Sequence, residues 1–163
     1  TFFMTGDWVE KYPDAVKKLY EAGHDLGNHG ENHKNMSQLS EEKCIDEIKA
    51  VHNRVYEITG VSMNLFRPPS GDYDDLVVQT ATGLDYYPIQ WDVDSLDWKN
   101  YGVEDMIDRV TNHKNLANGS IILLHNGTKY TKDALQGLID GLKNKGYGFV
   151  KVSDLIYKVM VEI

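Results

Sequence analysis

Apolar positions along the chain recur with two alternating periods. Thr1 to Met4 is a short apolar run of strand type, and Thr5-Gly6-Asp7 turns out of it. A helical spacing follows. Pro13 stands near the helix start, Ala15, Val16, Leu19 and Tyr20 share one face, and Gly23 sits where a left-handed residue closes a helix. His24 to Asn28 predicts a second strand. Ser40 is placed to cap a long helix over 41–59, with Cys44, Ile45, Ile48, Val51, Val55 and Ile58 as its inward stripe and Gly60 as its terminator. Leu65 to Arg67 predicts a third strand, stopped by Pro68-Pro69. Asp72 is placed to cap a helix running through Val77 and Val78 to Gly83. Tyr86 to Trp91 predicts a fourth strand, in which Pro88 marks an edge or a bulge. A polar loop over 92–102 leads to a helix with Val103, Met106, Ile107 and Val110 inward. Ser120 to Leu124 reads as a strand buried on both faces. Thr131 is placed to cap a helix that carries Leu135, Leu138, Ile139 and Leu142 and ends at Gly146. Phe149 to Val152 predicts a sixth strand, and Ser153 starts a last short helix.

This alternation predicts an α/β fold: parallel strands joined by helical crossovers, open or closed into a barrel. A chain of 163 residues holds one domain with a real core. The chain shows no repeat and no linker. In parallel architectures ligands bind at the carboxyl ends of the strands. Those ends carry His29 and His33, then Arg67 with Pro68-Pro69-Ser70-Gly71, then Trp91 to Trp98, then His125. If all strands run parallel, these residues share one rim.

The charge of −8, with no Lys/Arg cluster, argues against a nucleic-acid partner. No apolar run approaches membrane-spanning length. The single cysteine, Cys44, falls on a predicted apolar helix face and reads as a buried structural thiol. His29 and His33, four residues apart, can grip one ion from one turn of chain, since neutral imidazole suits zinc and its neighbours. The plain alternative is two solvated loop histidines. Glu31 between them reads as a solvated loop carboxylate, Asp94 as a turn cap, and His24, His52 and His113 as structural or solvated.

Together, Gly27-Asn28-His29 with His33, Phe66-Arg67-Pro68-Pro69-Ser70-Gly71, Asp94-Ser95-Leu96-Asp97-Trp98 and Leu123-Leu124-His125 resemble the motifs of the polysaccharide deacetylases, carbohydrate esterase family 4 or NodB homology domain. The resemblance runs over nearly the whole chain and makes residues 1–163 one catalytic domain. It implies a distorted (β/α) barrel with about six of the usual seven strands, acting on N-acetylated sugar polymers. It implies that His29 and His33 are two of three ligands to a divalent metal, commonly zinc or cobalt. His125 would be the general acid and Asp97 would orient it and favour its charged form. Arg67 would pair with the catalytic base. The Ser70 N–H would hold the oxyanion, and Trp98 and Leu123 would wall a slot for the acetyl methyl.

The sequence also departs from the family pattern. The first motif, Thr-Phe-Asp-Asp-Gly, source of the base and the third ligand, does not occur in residues 1–163. The chain opens directly on an apolar run, so the expectation is an N-terminal strand and that motif upstream of Thr1. Gly30 stands where Ser or Thr is usual, Ser70 where an aromatic is common, and Asn126 where Asp is common. The expected substrate is a peptidoglycan or chitin-like polymer, met outside the cell or at its wall. Competing readings are a truncated, inactive sugar-polymer-binding domain and a phosphatase-like metal hydrolase.

Overall fold

The computed structural model describes residues 1–156. It divides into two compact bodies, Thr1–Gln90 together with the segment from Lys151, and Trp91–Val150.

In the first body β1 (Phe2–Met4), β2 (Leu26–Asn28), β3 (Leu65–Phe66) and β4 (Tyr87–Pro88) form one sheet in that order, all parallel. Met4 lies opposite Asn28, Asn28 opposite Phe66 and Phe66 opposite Pro88. The strands therefore end level, and the loops that follow them leave from one edge. Pro88 occupies the edge strand. Tyr87 and Ile89 donate their N–H groups to Asn64 and Phe66, so the proline falls where an N–H would point away from the sheet.

Helices α1 (Gly6–Lys11), α2 (Pro13–Glu21), α3 (Glu41–Thr59) and α4 (Asp75–Gly83) pack around this sheet. Helix α3 has the expected bounds. The Ser40 hydroxyl accepts the Lys43 N–H at 3.5 Å, and Gly60 closes the helix at φ 74°. Cys44, Ile48, Val51 and Val55 are fully buried with Phe66, Val9 and Val16 in one core. Each such aliphatic burial contributes about 1.5–3 kcal/mol. One carboxylate, Glu47, sits on this apolar face at 4 % exposure.

Two expectations fail in this body. The segment after β1 is a helix, α1, anchored by fully buried Val9, rather than a bare turn. It stops at Tyr12, which leaves the helical region at φ −131° and ψ 54°; the following Pro13 disfavours αR in the residue before it. Helix α4 is capped by Asp74, which accepts the Val77 N–H at 2.9 Å; Asp72 is engaged elsewhere.

In the second body β5 (Val93–Asp94) and β6 (Ile122–Leu123) pair in parallel, Val93 opposite Ile122 and Asp94 opposite Leu123. Helices α5 (Val103–Thr111) and α6 (Thr131–Asn144) cover them, and Val93, Val110, Leu138 and Leu142 form the core. The two helices approach closely because Gly137 and Gly141 lack side chains. A Cβ on Gly137 would lie 2.7 Å from Ile107, and one on Gly141 would lie 2.9 Å from Thr111.

Here the expectations fail more often. Strand β5 lies inside the predicted polar loop, held by Asp92, whose carboxylate accepts from the Ile121 N–H at 2.7 Å and the Ser120 hydroxyl at 2.8 Å. Only Ile122 and Leu123 of the 120–124 run are strand, and of these only Leu123 is buried. Thr131 does not cap α6, whose N-cap is Tyr130, and Leu135 is exposed. Residues 149–152 form no strand, and Phe149 and Val150 are 50 % and 66 % exposed.

After them α7 (Val152–Leu155) returns to the first body. Asp25 accepts from the Ser153 N–H and hydroxyl at 2.9 and 2.7 Å and from the Thr1 hydroxyl at 2.8 Å. Every strand pairing among the described residues is parallel, as the α/β expectation requires. No described helix is long and apolar enough to cross a membrane.

Candidate active site

The level strand ends of the first body place His29 directly after β2. Its N–H donates to the Met4 carbonyl at 2.9 Å, and its ring Nδ1 lies 2.7 Å from the Arg67 carbonyl. A carbonyl oxygen only accepts, so Nδ1 carries a proton, and in the neutral ring Nε2 holds the lone pair. That is the tautomer a ligating histidine adopts when a backbone acceptor holds its other nitrogen. The His33 ring stands edge-on to it, with centroids 5.0 Å apart.

The loop between the two rings is bonded at every step. The Asn28 side chain accepts the Gly30 N–H at 3.0 Å, and the Gly30 and Glu31 carbonyls accept from Gly6 and Asp7. Asn28 is itself buried and donates to the Ile48 carbonyl at 2.7 Å and the Tyr86 hydroxyl at 3.3 Å. Burial pushes the Tyr86 phenol up to about 12, against the opposing pull of the Asn28 bond, so it stays neutral. His52 Nδ1 lies 2.5 Å from the same hydroxyl, and burial lowers its pKa. Glu31 corrects the sequence reading. Its side chain is 15 % exposed and pairs with Arg54 at 2.6 Å.

Arg67 follows β3. It is 7 % exposed, with its guanidinium over the Phe3 ring at 4.2 Å. Its Nε and Nη2 donate to the carbonyls of Ile89 and Gln90 at 3.3 and 3.5 Å. Burial lowers its pKa to about 10, which leaves it charged at neutral pH. Ser70 lies exposed in the turn after it, in a left-handed conformation at φ 56°. Asp72 ties this turn to the histidine loop by accepting both the N–H and the hydroxyl of Ser37 at 2.8 Å. The first body thus brings His29, His33 and Arg67 together and puts Ser70 on the adjoining turn.

Two adjacent imidazoles, one held by a backbone carbonyl, fit two positions of a tetrahedral divalent-metal site. Among the described residues no group of three or more His, Cys, Asp or Glu side chains could hold an ion.

The second body joins Asp97 to His125. Asp97 follows β5 and His125 follows β6, so the parallel register delivers both to one edge of that pair. One carboxylate oxygen accepts from His125 Nδ1 at 2.7 Å. The other accepts the His125 N–H at 2.6 Å and the Thr131 hydroxyl at 2.7 Å. The Asp97 side chain is wholly buried, while that of His125 is 43 % exposed. Burial alone would raise the Asp97 pKa, but the bonds from His125 and Thr131 outweigh it and hold the pKa below the usual range. Leu123 is buried on β6, whereas Trp98 is 54 % exposed with Lys99 over its ring at 5.0 Å. Asp94 serves as a turn cap, accepting the Leu96 N–H at 2.8 Å.

Sequence reasoning missed Thr131 and Glu47. Thr131 stands where a helix cap is common, which hid its bond to Asp97. Glu47 had a visible signal: it sits three residues after Cys44 and four before Val51, on the apolar stripe, where an unpartnered carboxylate has no place.

A sequence profile of the family described as polysaccharide deacetylase matches residues 1–89. A peptidoglycan-N-acetylglucosamine deacetylase of Bacillus cereus is 38% identical over 96% of this chain and 74% of its own length. The peptidoglycan-N-acetylmuramic acid deacetylase PdaA of Bacillus subtilis is 33% identical over 97% of this chain, which spans 61% of that protein. A carbohydrate esterase family 4 pseudoenzyme from Bacillus anthracis superimposes with a TM-score of 0.89 at 32% identity, covering 94% of this chain and 54% of that one. A mutant of that pseudoenzyme is described as having restored enzymatic activity. On these matches, the chain belongs to the polysaccharide deacetylase family.

Proposed function

We propose that this chain forms part of a metal-dependent N-deacetylase acting on N-acetylated sugars of peptidoglycan or a chitin-like polymer, at the cell wall. The observation that carries the reading is the Asp97–His125 pair, a buried carboxylate holding an exposed imidazole by ring and backbone. The names of the relatives support the substrate class.

Amide hydrolysis adds a water oxygen to the acetyl carbon and breaks the C–N bond, giving acetate and a free amine. The departing nitrogen needs a proton. His125, with Nδ1–H on Asp97, carries a second proton on Nε2 when charged, and the neighbouring carboxylate favours that charged form. His29 and His33 would hold the ion, zinc or cobalt. When bound, such an ion supplies a Lewis acid for the acetyl carbonyl and lowers the pKa of a water. On this reading Ser70 would supply an N–H for the oxyanion, Arg67 a buried positive charge, and Leu123 with Trp98 an apolar wall.

The test is acetate release from N-acetylated peptidoglycan strands by the complete polypeptide, with Zn2+ or Co2+ supplied. His125→Ala is expected to slow turnover by about 10²–10⁴ and leave metal binding intact. Loss of the metal in that variant would overturn the acid assignment. Residues 1–163 alone are expected to release little acetate, because the Thr-Phe-Asp-Asp-Gly motif is not among them.

One observation favours a second reading, a pseudoenzyme that binds the polymer without cleaving it. A carbohydrate esterase family 4 pseudoenzyme is among the solved structures to which this chain is similar. Polymer binding by the complete protein with no acetate released, whichever metal is supplied, selects that reading.

A further inference from the structure

His33 is held differently from His29. The His29 ring is fixed directly by the Arg67 carbonyl. Among the described residues the His33 ring takes no hydrogen bond; its one ring contact is with His29. Its position therefore depends on its backbone, and that backbone is left-handed at φ 51°. For a residue with a Cβ this conformation costs on the order of 1 kcal/mol and persists only where neighbours over-determine it.

The over-determining group is Glu47. Its Oε2 accepts the Asn32 N–H at 2.8 Å, and its Oε1 accepts the Asn32 side-chain amide at 3.0 Å. Lys34 Nζ closes on Oε1 at 2.8 Å. One carboxylate thus grips the residues immediately before and after His33. Glu47 projects from the middle of α3, among fully buried Cys44, Ile48 and Val51, so its own position is fixed by the core. Burial alone would raise its pKa, but Lys34 and Asn32 hold it lowered, so the grip is that of a charged acceptor. Gly30 supplies the left-handed turn before this grip, at φ 74°, where a Cβ would meet only ordinary contacts with Pro69 and Glu47, so the demand for glycine comes from the backbone.

We propose that Glu47 is a positioning residue for the metal pair, holding the 30–34 loop so that His33 is presented to the ion in its strained backbone state. The inference rests on the metal reading of His29 and His33. It predicts that loosening Glu47 separates two properties that a purely structural role would move together, metal affinity and core stability.

The experiment titrates Zn2+ alone into the complete wild-type polypeptide and its variants, and follows amide hydrogen exchange in the metal-free proteins. Glu47→Ala is expected to weaken Zn2+ binding about 10- to 100-fold, the range typical of a residue that orients a ligand. Exchange at Asn32 and His33 should quicken in the same variant. Asn32→Ala changes an exposed residue, cannot unfold the core and removes one of the three bonds to Glu47; it should weaken Zn2+ severalfold. Val51→Ala empties part of the core one turn along α3 and should lower stability while leaving Zn2+ affinity within twofold. If Glu47→Ala and Asn32→Ala bind Zn2+ like wild type, or if Val51→Ala weakens it equally, the inference is overturned. If wild type binds no Zn2+, the metal reading fails by itself. Exchange at Asn32 and His33 then still decides whether Glu47 clamps the loop.

Discussion

Asp97 accepts from both the ring and the backbone N–H of His125, at 2.7 and 2.6 Å. The double hold fixes the tautomer and the ring plane at once, which a single side-chain bond does not do. Asp97→Asn keeps the shape but replaces one acceptor oxygen with an NH2 that cannot accept either His125 proton. Turnover should fall by about 10²–10⁴ with Zn2+ affinity unchanged. Acetate-release kinetics beside a Zn2+ titration measure both, and an unchanged kcat would remove Asp97 from the mechanism.

Thr131 supplies the third bond to that carboxylate. Thr131→Val keeps the volume and deletes the donor. A hydrogen bond to a buried charge contributes about 1.5–3 kcal/mol, so the urea midpoint should fall accordingly. A variant as stable as wild type would mean that water or another donor replaces the hydroxyl.

Three buried or half-buried carboxylates, Asp25, Glu47 and Asp97, have pKa values held below their ordinary range. In each, burial opposes the shift and hydrogen bonds win. A lowered folded pKa means that the stabilisation is fully present above the unfolded value, near 4, and is lost as pH falls through the folded value. Through these carboxylates the unfolding free energy should drop below about pH 4, and His52, whose pKa burial lowers, adds a separate loss that begins as pH falls through its ordinary value near 6.5. Asp25→Asn should be less stable than wild type at pH 7, with the gap narrowing by pH 3. Denaturant titrations at the two pH values check this, and a gap that widens in acid contradicts it.

Gly27 lies opposite Phe3 in the sheet, and a Cβ there would stand 2.5 Å from the Phe3 ring. The same ring carries the Arg67 guanidinium at 4.2 Å. Gly27→Ala should cost about 1–3 kcal/mol by overpacking and displace Arg67 through the ring. Thermal unfolding tests the first effect. Weakened turnover in a protein that remains folded tests the second.

Much of the first body is legible from the amino acids alone, because long-period patterns and strong caps agree there. Helix α3 shows Ser40, a regular stripe and Gly60. Pro88 marks the edge strand. The second body is less legible because its strands are two residues long and paired by polar neighbours. Val93-Asp94 looks like loop, while Phe149 and Val150 look like strand and lie exposed instead, and Val152 is buried at the start of a helix. At the candidate site the histidines, Arg67 and Asp97 announce themselves by chemistry. The groups that aim them do not. Glu47 shows itself only as a carboxylate on an apolar stripe, and Asn28, Asp72 and Thr131 act through hydrogen bonds to residues 20 to 58 positions away, a relation that no local pattern carries.

The proline at the rim of the four-stranded sheet has a solubility consequence. Tyr87 and Ile89 spend their N–H groups on β3, and Pro88, whose turn it is to face outward, has none to give. An incoming extended segment from another molecule finds an acceptor at that point but no donor, so the ladder that would start an aggregate lacks its first rung.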